Sequence, residues 1–329
     1  MVLIIKRVLS NYIELSGFET GNKRQKTVLV TGCDTGFGHS LALKLITRGI
    51  FTFAGCYTEQ GEDDLKKKAK QLNAEKYLIT FSLDVTKQES VDKAVELVSK
   101  TLSQNQVLWA LVNNAGIPAN GPEDWMTLEI YQQNIDVNCL GVIRMVHAFL
   151  PILKKSKGRI VSVTSMYARW AQAWGGPYAV SKHAVGAYLD CIRSELSIFG
   201  ITVHMIEPGF FRTSVTDPDL LNNRLKQYWN RLPDSIKEEY GEEYLEKSFN
   251  AAKAHINWIT GNNGSSVDEV VKNYYHAITA RWPRQRYYPG IEMKEIITLL
   301  IFPTSFLDLV QQLIIRYRGY PIPKACQKG

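Results

Sequence analysis

A tyrosine and a lysine four residues apart could transfer a proton in the segment "TSMYARWAQAWGGPYAVSK", which runs from Thr164 to Lys182. Tyr178 and Lys182 would lie on one face of a helix, since residues four apart are neighbours on a helix surface. A phenol with a pKa near 10 is a poor base at neutral pH. An ammonium about 4–5 Å away contributes roughly 3–4 kcal/mol at an effective dielectric near 20, which lowers the pKa of the phenol by about two to three units. The pair therefore predicts a general acid–base group.

The tyrosine–lysine spacing alone does not identify the pair, because it occurs a second time at Tyr320 and Lys324. That second match lies in "YPIPK", whose two prolines prevent a helix from aligning the side chains. Tyr167, which also lies in the segment, is followed four residues later by Ala171 and so lacks a lysine at this spacing. Tyr178 is therefore the candidate acid–base.

The loop "TGCDTGFG" predicts a nucleotide-binding site through Gly32, Gly36 and Gly38. One glycine would form the tight turn, another would let the backbone approach a pyrophosphate, and the third would let helix pack on strand. The N-terminus of the following helix would face the anion. The spacing is G-x-x-x-G-x-G and differs from the G-x-G-x-x-G of long-chain dehydrogenases.

Apolar runs alternate with segments of helical period over most of the chain. A parallel sheet covered by helices on both faces has this pattern, so we expect one doubly wound α/β domain with a Rossmann fold. The predicted strands are "TVLVTG" (27–32), "FTFAGCY" (51–57), "YLITFSLDV" (77–85), "VLWALVNNAG" (107–116), "GRIVSVTS" (158–165) and "ITVHMIEPG" (201–209).

The predicted domain covers residues 26–290, with an N-terminal extension at 1–25 and an apolar amphipathic tail at 291–329. Within the domain, residues 213–250 are polar, aromatic and of helical period, which predicts a helical insertion on the substrate side.

Further motifs follow the glycine loop in the order seen in the short-chain dehydrogenase/reductase family, which the chain resembles over about residues 26–290. They are "DV" at Asp84, "NNAG" ending at Gly116, and "PG" at Pro208 followed by Thr213. The resemblance implies a bound NAD or NADP. The residues expected to contact it are Gly32, Asp34, Gly36, Phe37, Gly38, Asp84, Val85, Asn114, Ala115, Gly116, Tyr178, Lys182, Pro208, Gly209 and Thr213.

The resemblance also implies a catalytic tetrad of Asn138, Ser165, Tyr178 and Lys182. Tyr178 would act as the acid–base, and Lys182 would lower its pKa and bind the ribose. Ser165 would hold the carbonyl oxygen. The main chain of Asn138 would hold a water of a proton relay.

The end of the second strand favours NAD over NADP. A ribose 2′-hydroxyl is usually bound by an acid about 20 residues after the glycines, and a 2′-phosphate by an arginine. Here Cys56, Tyr57 and Thr58 stand at that place, so neither residue type is present. Asp34 and Glu59 lie nearby without a lysine or arginine in the loop, which leaves a 2′-phosphate poorly countered.

Aromatic residues after Ser165 and after Gly209 predict a pocket for a large apolar alcohol. The chain resembles the branch of the family with retinol, 17β- and 3α-hydroxysteroid and D-β-hydroxybutyrate dehydrogenases, which mostly uses NAD(H) on membranes. Expected substrate contacts are Ser165, Met166, Trp170, Trp174, Tyr178 and Phe210, with Tyr167, Phe211, Tyr228 and Trp229 as further candidates.

Two other functions stay open at this point. Arg169 or Arg212 could pair with a carboxylate, which would suit a D-3-hydroxybutyrate-type hydroxy-acid dehydrogenase. A regulatory protein that binds NAD without turnover is the other alternative, and the intact tetrad argues against it.

The charge of the chain lies at its two ends. Residues 281–329 carry eight basic and three acidic side chains, and residues 1–26 carry five and two, out of a net charge of +7. This favours an anionic membrane surface over nucleic acid as a partner. We expect the endoplasmic reticulum membrane, with a mitochondrial membrane or the cytoplasm as alternatives, and leave a homo-oligomer open. Five widely spaced cysteines indicate a reducing compartment, and no metal site is expected.

The tail "IITLLIFPTSFLDLVQQLIIRYR" (296–318) is interrupted by Pro303 and Asp308, which makes it a poor membrane-spanning helix. It fits a helix that lies in a membrane interface. Burial against the enzyme itself, as a wall of the pocket, is the alternative. The residues that carry the interfacial interpretation are Leu307, Val310, Ile314, Arg316 and Arg318.

Overall fold

The computed structural model describes residues 25–211, 213, 217–261, 266–290, 292–317 and 319–327. Within them, a seven-stranded parallel sheet has the strand order β3-β2-β1-β4-β5-β6-β7. The strands are β1 (Gln25–Thr31), β2 (Thr52–Cys56), β3 (Leu78–Ser82), β4 (Gln106–Asn113), β5 (Arg159–Val163), β6 (Thr202–Ile206) and β7 (Arg286–Tyr287). The predicted Rossmann fold is thereby confirmed.

Helices cover the sheet on both faces, as the alternating pattern predicts. The helices are α1 (Gly36–Thr47), α2 (Glu59–Gln71), α3 (Gln88–Thr101), α4 (Leu128–Ile135), α5 (Gly141–Ser156), α6 (Gly176–Ser197), α7 (Pro218–Arg231), α8 (Asp234–Tyr240), α9 (Glu243–Gly261), α10 (Val267–Thr279), α11 (Glu292–Leu299) and α12 (Thr304–Tyr317). Buried residues of α3, α5 and α6 pack on one face, and those of α1, α2 and α10 pack on the other.

The predicted strands extend past the observed ones at their carboxyl ends. The run 107–116 continues beyond β4, which ends at Asn113, and the run 158–165 continues beyond β5, which ends at Val163. The last residues of each run, which include Asn114 and Ser165, lie in loops beyond the sheet. The strand order reverses between β1 and β4, and ligands of such sheets bind in the crevice at that point.

A buried arginine ties α10 to the sheet. The guanidinium of Arg159 in β5 donates to the carbonyls of Ala277 and Ile278 at 2.7 and 2.9 Å and to that of Ala280 at 2.7 Å. These carbonyls lie at the carboxyl end of α10, where backbone acceptors have no partner within the helix and the helix dipole favours a cation. The arginine thus holds the carboxyl end of α10 against the amino-terminal end of β5.

The helical insertion continues further than predicted, since α9 runs to Gly261. Its helices form their own cluster, in which Leu221, Leu225 and Ala252 pack with Trp125. The tail forms α11 and α12. The predicted N-terminal extension lies outside the described residues, apart from Gln25.

Within the described part of the chain, Leu128–Ser156 is the one helical stretch long and apolar enough to cross a membrane by length and composition. It comprises α4, a π-helical turn and α5. Its residues Met145, Val146 and Phe149 are buried in the main core against the sheet. This stretch is therefore a core helix of the domain.

Candidate active site

The glycine loop forms a close-fitting cradle at the start of α1. Gly32 and Gly36 have positive φ angles of 68° and 63°, which glycine adopts without strain. A β-carbon on Gly32 would lie 2.7 Å from the Cα of Ala115, and one on Gly38 would overlap the Asn114 side chain and the Gly32 carbonyl. The backbone thus leaves the helix N-terminus open to an anion. These residues fit the pyrophosphate of a dinucleotide.

The neighbouring loop after β4 is bound to this cradle. The side chain of Asn114 donates to the carbonyls of Thr31 and Gly32, both at 3.0 Å, and accepts from the hydroxyl of Tyr274 at 3.1 Å. The amides of Asn114 and Ala115 donate to the Thr31 hydroxyl at 3.0 Å. The Asn114 side chain therefore positions the glycine loop.

The remaining predicted cofactor residues surround the same crevice. Asp84 accepts from the amide and hydroxyl of Thr86 at 2.9 and 2.7 Å, and buried Val85 packs against Gly141. Phe37 packs edge-on against Phe211, with ring centroids 5.7 Å apart. The predicted contact of Asp84 and Val85 with adenine stays a prediction.

The loop after β6 joins the nucleotide crevice to the loop that carries Ser165. The Pro208 carbonyl accepts from the Met166 amide at 2.9 Å, and the Gly209 amide donates to the Pro289 carbonyl at 3.0 Å. Thr213 lies beside Gly36, because a β-carbon on that glycine would be 3.8 Å from the Thr213 side chain, an ordinary van der Waals contact.

Asp34 reaches across from the glycine loop to the end of β2. Its carboxylate accepts from the amides of Tyr57 and Thr58 at 2.9 and 2.8 Å and from the Thr58 hydroxyl at 2.7 Å. A carboxylate thus stands at the strand end that lacks an acid of its own. The sequence predicted Asp34 as a cofactor contact but did not predict its hydrogen bonds to the end of β2. The sequence signal for them is an acidic residue in the glycine loop together with the lack of an acidic residue at the end of the second strand.

Ser165 and Tyr178 meet at one end of a cavity. Ser165 follows β5 and begins a 3₁₀ turn at Met166–Ala168, where its hydroxyl accepts from the Tyr167 amide at 3.2 Å. Ser165 also acts on the phenol of Tyr178, in the first turn of α6, by lowering its pKa. Both side chains line the cavity.

Lys182 lies one turn further along α6 and is buried, with 3% of its surface exposed. Its ammonium nitrogen donates to the Val163 carbonyl at 3.4 Å and stands 5.4 Å from the centroid of the Tyr178 ring. Tyr178 and Lys182 therefore share one helix face, as their spacing predicts.

The effect of Lys182 on the pKa of Tyr178 stays a prediction, because burial dominates the surroundings of the phenol. Burial raises the pKa of Tyr178 to about 12, although the hydrogen bond from Ser165 opposes the shift. Burial also lowers the pKa of Lys182 to about 8, against an opposing effect of Cys139. Both groups lie in apolar surroundings that disfavour charge, and the spacing of two residues in a sequence does not contain this effect. At neutral pH Tyr178 is therefore a proton donor.

Asn138 lies in the π-helical turn Asp136–Leu140 between α4 and α5. Its buried side chain accepts from the Ile117 amide at 2.8 Å and donates to the Ile117 carbonyl at 2.9 Å and the Ser181 hydroxyl at 3.0 Å. The adjacent Gly116 is close to both, since its β-carbon would lie 3.1 Å from Asn138 Oδ1 and 3.6 Å from Lys182 Nζ. Such turns occur often at functional sites. The relay water on the Asn138 main chain stays a prediction.

The structure brings all six predicted substrate residues to one mainly apolar cavity: Ser165, Met166, Trp170, Trp174, Tyr178 and Phe210. Tyr167 also lines it. The sequence did not predict the cavity residues Leu221, Leu225, Ala252 and Ile256, which come from the helices after Gly209. The tail lines the cavity too, as the alternative of a pocket wall predicted, through Gln311, Ile314, Ile315 and Tyr320. The 3.6-residue period of the tail could have pointed to them, because Val310 and Ile314 pack on the Met166 cluster.

Three aromatic candidates lie elsewhere. Phe211 is buried in the domain core, and Tyr228 and Trp229 pack in the cluster around Trp125. All three were expected at the pocket because they follow Gly209 in sequence. Tyr228 and Trp229 lie on α7, which turns them toward the insertion. Tyr320 packs on Trp174, outside any helix shared with Lys324.

The structure gives no support for a substrate carboxylate bound by Arg169 or Arg212. Arg169 donates to Glu207, a carboxylate with no exposed surface, at 2.9 Å. Arg212 lies outside the described residues. Among the described residues, no group of three or more His, Cys, Asp or Glu side chains could hold a metal ion.

A sequence profile of short chain dehydrogenases matches residues 26–223. The chain belongs to the short-chain dehydrogenase family. It is 43% identical to a 3beta-hydroxysteroid dehydrogenase of Caenorhabditis elegans over 92% of this chain and 76% of the relative. It is 38% identical to retinol dehydrogenase 7 of Rattus norvegicus over 87% of each chain. The 17-beta-hydroxysteroid dehydrogenase type 6 of Bos taurus is 38% identical over 87% of this chain and 88% of the relative.

Solved structures share the fold at lower identity. A short-chain dehydrogenase/reductase of Burkholderia phymatum in complex with NAD has a TM-score of 0.70 at 19% identity, covering 92% of this chain and 98% of that one. A short chain dehydrogenase of Burkholderia cenocepacia in complex with NADP has a TM-score of 0.64 at 22% identity, covering 88% and 98%. The family match and the relatives named above show that the protein is an alcohol dehydrogenase of this family. Its fold neighbours include both NAD and NADP complexes.

Proposed function

We propose that this dehydrogenase uses NAD(H) to interconvert a lipophilic secondary or allylic alcohol, a hydroxysteroid or a retinoid, with its carbonyl. The observation that carries the proposal is the position of Tyr178 and Ser165 at a cavity whose other walls are mainly apolar and aromatic. Such a cavity suits a large apolar molecule with one oxygen at the catalytic end. The names of the relatives, which include hydroxysteroid and retinol dehydrogenases, support the same substrate class.

Hydride and proton transfer would use separate groups of the site. The nicotinamide, when bound in the glycine-lined crevice, supplies or accepts the hydride. Tyr178 gives its proton to the carbonyl oxygen during reduction and takes it back during oxidation. Ser165 hydrogen-bonds the same oxygen, and Lys182 stands behind the tyrosine and binds ribose. Asn138 holds the loop at Ile117 and the Ser181 hydroxyl, which keeps the proton path beside Lys182 in place.

The charges at the end of β2 support NAD over NADP. Asp34 fixes the backbone there with its carboxylate, and Glu62 and Asp64 on α2 bind Lys66 and Lys68 at 2.6 and 2.8 Å. A 2′-phosphate would meet the Asp34 carboxylate, and these two lysines are already engaged. The ribose of NAD brings no charge to this place.

A substrate panel tests the function. Retinol, 3α-, 3β- and 17β-hydroxysteroids and 3-hydroxybutyrate are each assayed with NAD and with NADP for their kcat/KM. We expect turnover of a hydroxysteroid or retinol with NAD and none of 3-hydroxybutyrate, because Arg169 is engaged by Glu207. Turnover of 3-hydroxybutyrate alone would contradict the proposal.

A stripe of exposed apolar residues on α12 supports binding to a membrane surface, and the endoplasmic reticulum is the location we propose. The predicted interfacial residues Val310 and Ile314 pack on the enzyme, so the interfacial face is a different one. It consists of Phe306, Leu309, Leu313 and Tyr317, with Phe302 packed on Phe306 just before the helix. Their spacing of three and four residues follows one side of a helix.

Flotation with vesicles of phosphatidylcholine and phosphatidylserine tests the membrane surface. The triple variant Phe306→Gln, Leu309→Gln, Leu313→Gln should have an affinity for the vesicles at least about tenfold below that of the wild type. Burial of each such side chain contributes about 1.5–3 kcal/mol. The control, Leu128→Gln with Ile198→Gln, changes two exposed apolar residues elsewhere and should bind like the wild type. Equal binding of the triple variant and the control variant to the vesicles would refute a role of the α12 stripe in membrane binding.

A further inference from the structure

One glutamine of the tail is bound to the loop that separates Ser165 from Tyr178. The side chain of Gln311 in α12 donates to the Ala171 carbonyl at 2.9 Å and accepts from the Ala173 amide at 3.2 Å. A single side chain therefore satisfies both a backbone acceptor and a backbone donor of the loop. Amide side chains can do this because they offer both functions in one plane.

The next residue in the loop, Trp174, has an unusual backbone conformation. Its φ angle is 69°, in the left-handed region that bulky residues rarely adopt and that costs free energy unless the surroundings enforce it. Its carbonyl accepts from the Gly121 amide at 2.8 Å, and its ring packs edge-on against Tyr320 with centroids 4.4 Å apart. Contacts on both sides thus hold Trp174 in a strained position at the cavity wall.

The tail and the loop form one continuous wall of the cavity. Gln311, Ile314 and Ile315 of α12 line the cavity, as do Trp174 and Tyr320. The loop reaches the tail through the Gln311 hydrogen bonds and the Trp174–Tyr320 contact. Movement of α12 away from the loop would therefore widen the cavity at this wall.

We propose that Gln311 is a positioning residue that determines substrate specificity by holding Trp174 in the wall that contacts a large apolar alcohol. The inference rests on the proposed function, since it assigns this wall to the far part of the same substrate. A small alcohol would occupy only the catalytic end at Ser165 and Tyr178. The loss of the Gln311 contacts should therefore affect large substrates selectively.

The test compares Gln311→Ala with Gln312→Ala, which truncates the neighbouring, exposed glutamine of the same helix. KM and kcat are measured for a 3-hydroxysteroid and for cyclohexanol, and the melting temperature is recorded for each variant. We expect Gln311→Ala to raise KM for the steroid about tenfold, the size that one or two lost hydrogen bonds produce. Its kcat/KM for cyclohexanol should stay within about twofold of the wild type.

A second variant and a second readout separate the alternatives. Trp174→Ala should change the steroid KM in the same direction, and steroid binding followed by tryptophan fluorescence gives a dissociation constant without turnover. Equal steroid KM and binding in Gln311→Ala and Gln312→Ala would overturn the proposal. So would a matched loss for both substrates with a lower melting temperature, which would indicate a general structural role. Failure of the proposed function would instead show as absent turnover in the wild type, and the binding measurement would still test Gln311.

Discussion

The carboxylate of Glu207 accepts a hydrogen bond from Arg169 Nε at 2.9 Å and has no exposed surface. Glu207 follows β6 and directly precedes Pro208, whereas Arg169 follows the 3₁₀ turn that Ser165 begins. A second guanidinium, from Arg286, binds the other carboxylate oxygen. The pair thereby connects the loop that begins at Ser165 to the loop at Pro208, which is predicted to contact the cofactor.

Glu207→Gln should lower the free energy of unfolding by about 3 kcal/mol. Removal of one partner from a buried ion pair leaves the other charge without compensation, and such changes cost about 3–5 kcal/mol. Urea denaturation gives the value, and Glu195→Gln on the exposed face of α6 is the control, with an expected change below about 0.5 kcal/mol. Similar losses in the two variants would show that the Glu207 pair contributes no more than a surface carboxylate.

Asp34→Asn should reduce the preference for NAD over NADP about tenfold. The variant keeps an acceptor for the Tyr57 and Thr58 amides but removes the negative charge that a 2′-phosphate would meet, an effect of roughly 1–2 kcal/mol. The ratio of kcat/KM with NAD to that with NADP is the measurement. Asp63→Asn makes the same charge change on the exposed face of α2 and serves as control. Equal ratios in both variants would exclude Asp34 as the determinant.

His204 should make the protein less stable in acid. Burial lowers the pKa of His204 to about 3, and Arg159 and Arg193 contribute, whereas its ring nitrogens contact the Arg284 carbonyl at 2.6 Å and the Thr202 hydroxyl at 2.8 Å. An unfolded histidine has a pKa near 6.5. Between about pH 6.5 and pH 3 the unfolded chain binds a proton that the folded protein does not. The free energy of unfolding therefore decreases by up to about 1.4 kcal/mol per pH unit as the pH falls through this window.

Denaturation curves of wild type, His204→Gln and His147→Gln from pH 7 to pH 4 test this contribution. His204→Gln should show a smaller dependence of the free energy of unfolding on pH than the wild type. His147→Gln, which changes an exposed histidine of α5, should keep the wild-type dependence. Identical slopes in wild type and His204→Gln would contradict the linkage.

Local patterns predicted the sheet, the glycine loop and the helix face that Tyr178 shares with Lys182. These features depend on strand and helix periodicity or on a fixed spacing along one element, and a sequence displays both. The predicted runs extend beyond the ends of β4 and β5, because they include polar and small residues such as Asn114 and Ser165, which lie in loops.

Features that join distant segments were not predictable in the same way. Asp34 meets Thr58 across the crevice, and Gln311 meets the loop at Ala171 from far along the chain. The face of α12 was misassigned because the apolar residues of the tail cover more than half of its circumference, and only packing distinguishes Val310 from Leu309. The pKa of Tyr178 depends on burial, which spacing does not contain.

The central claim is that Tyr178 transfers the proton, and the turnover of Tyr178→Phe tests it most directly. Tyr188→Phe, on the same helix, is the matched control, because its hydroxyl has no hydrogen-bond partner among the residues that the structure describes. With the best substrate of the panel, kcat should fall about 100- to 10,000-fold in Tyr178→Phe, the range of a lost general acid–base. It should stay within about twofold in Tyr188→Phe. Turnover in Tyr178→Phe equal to that of the wild type would contradict the mechanism.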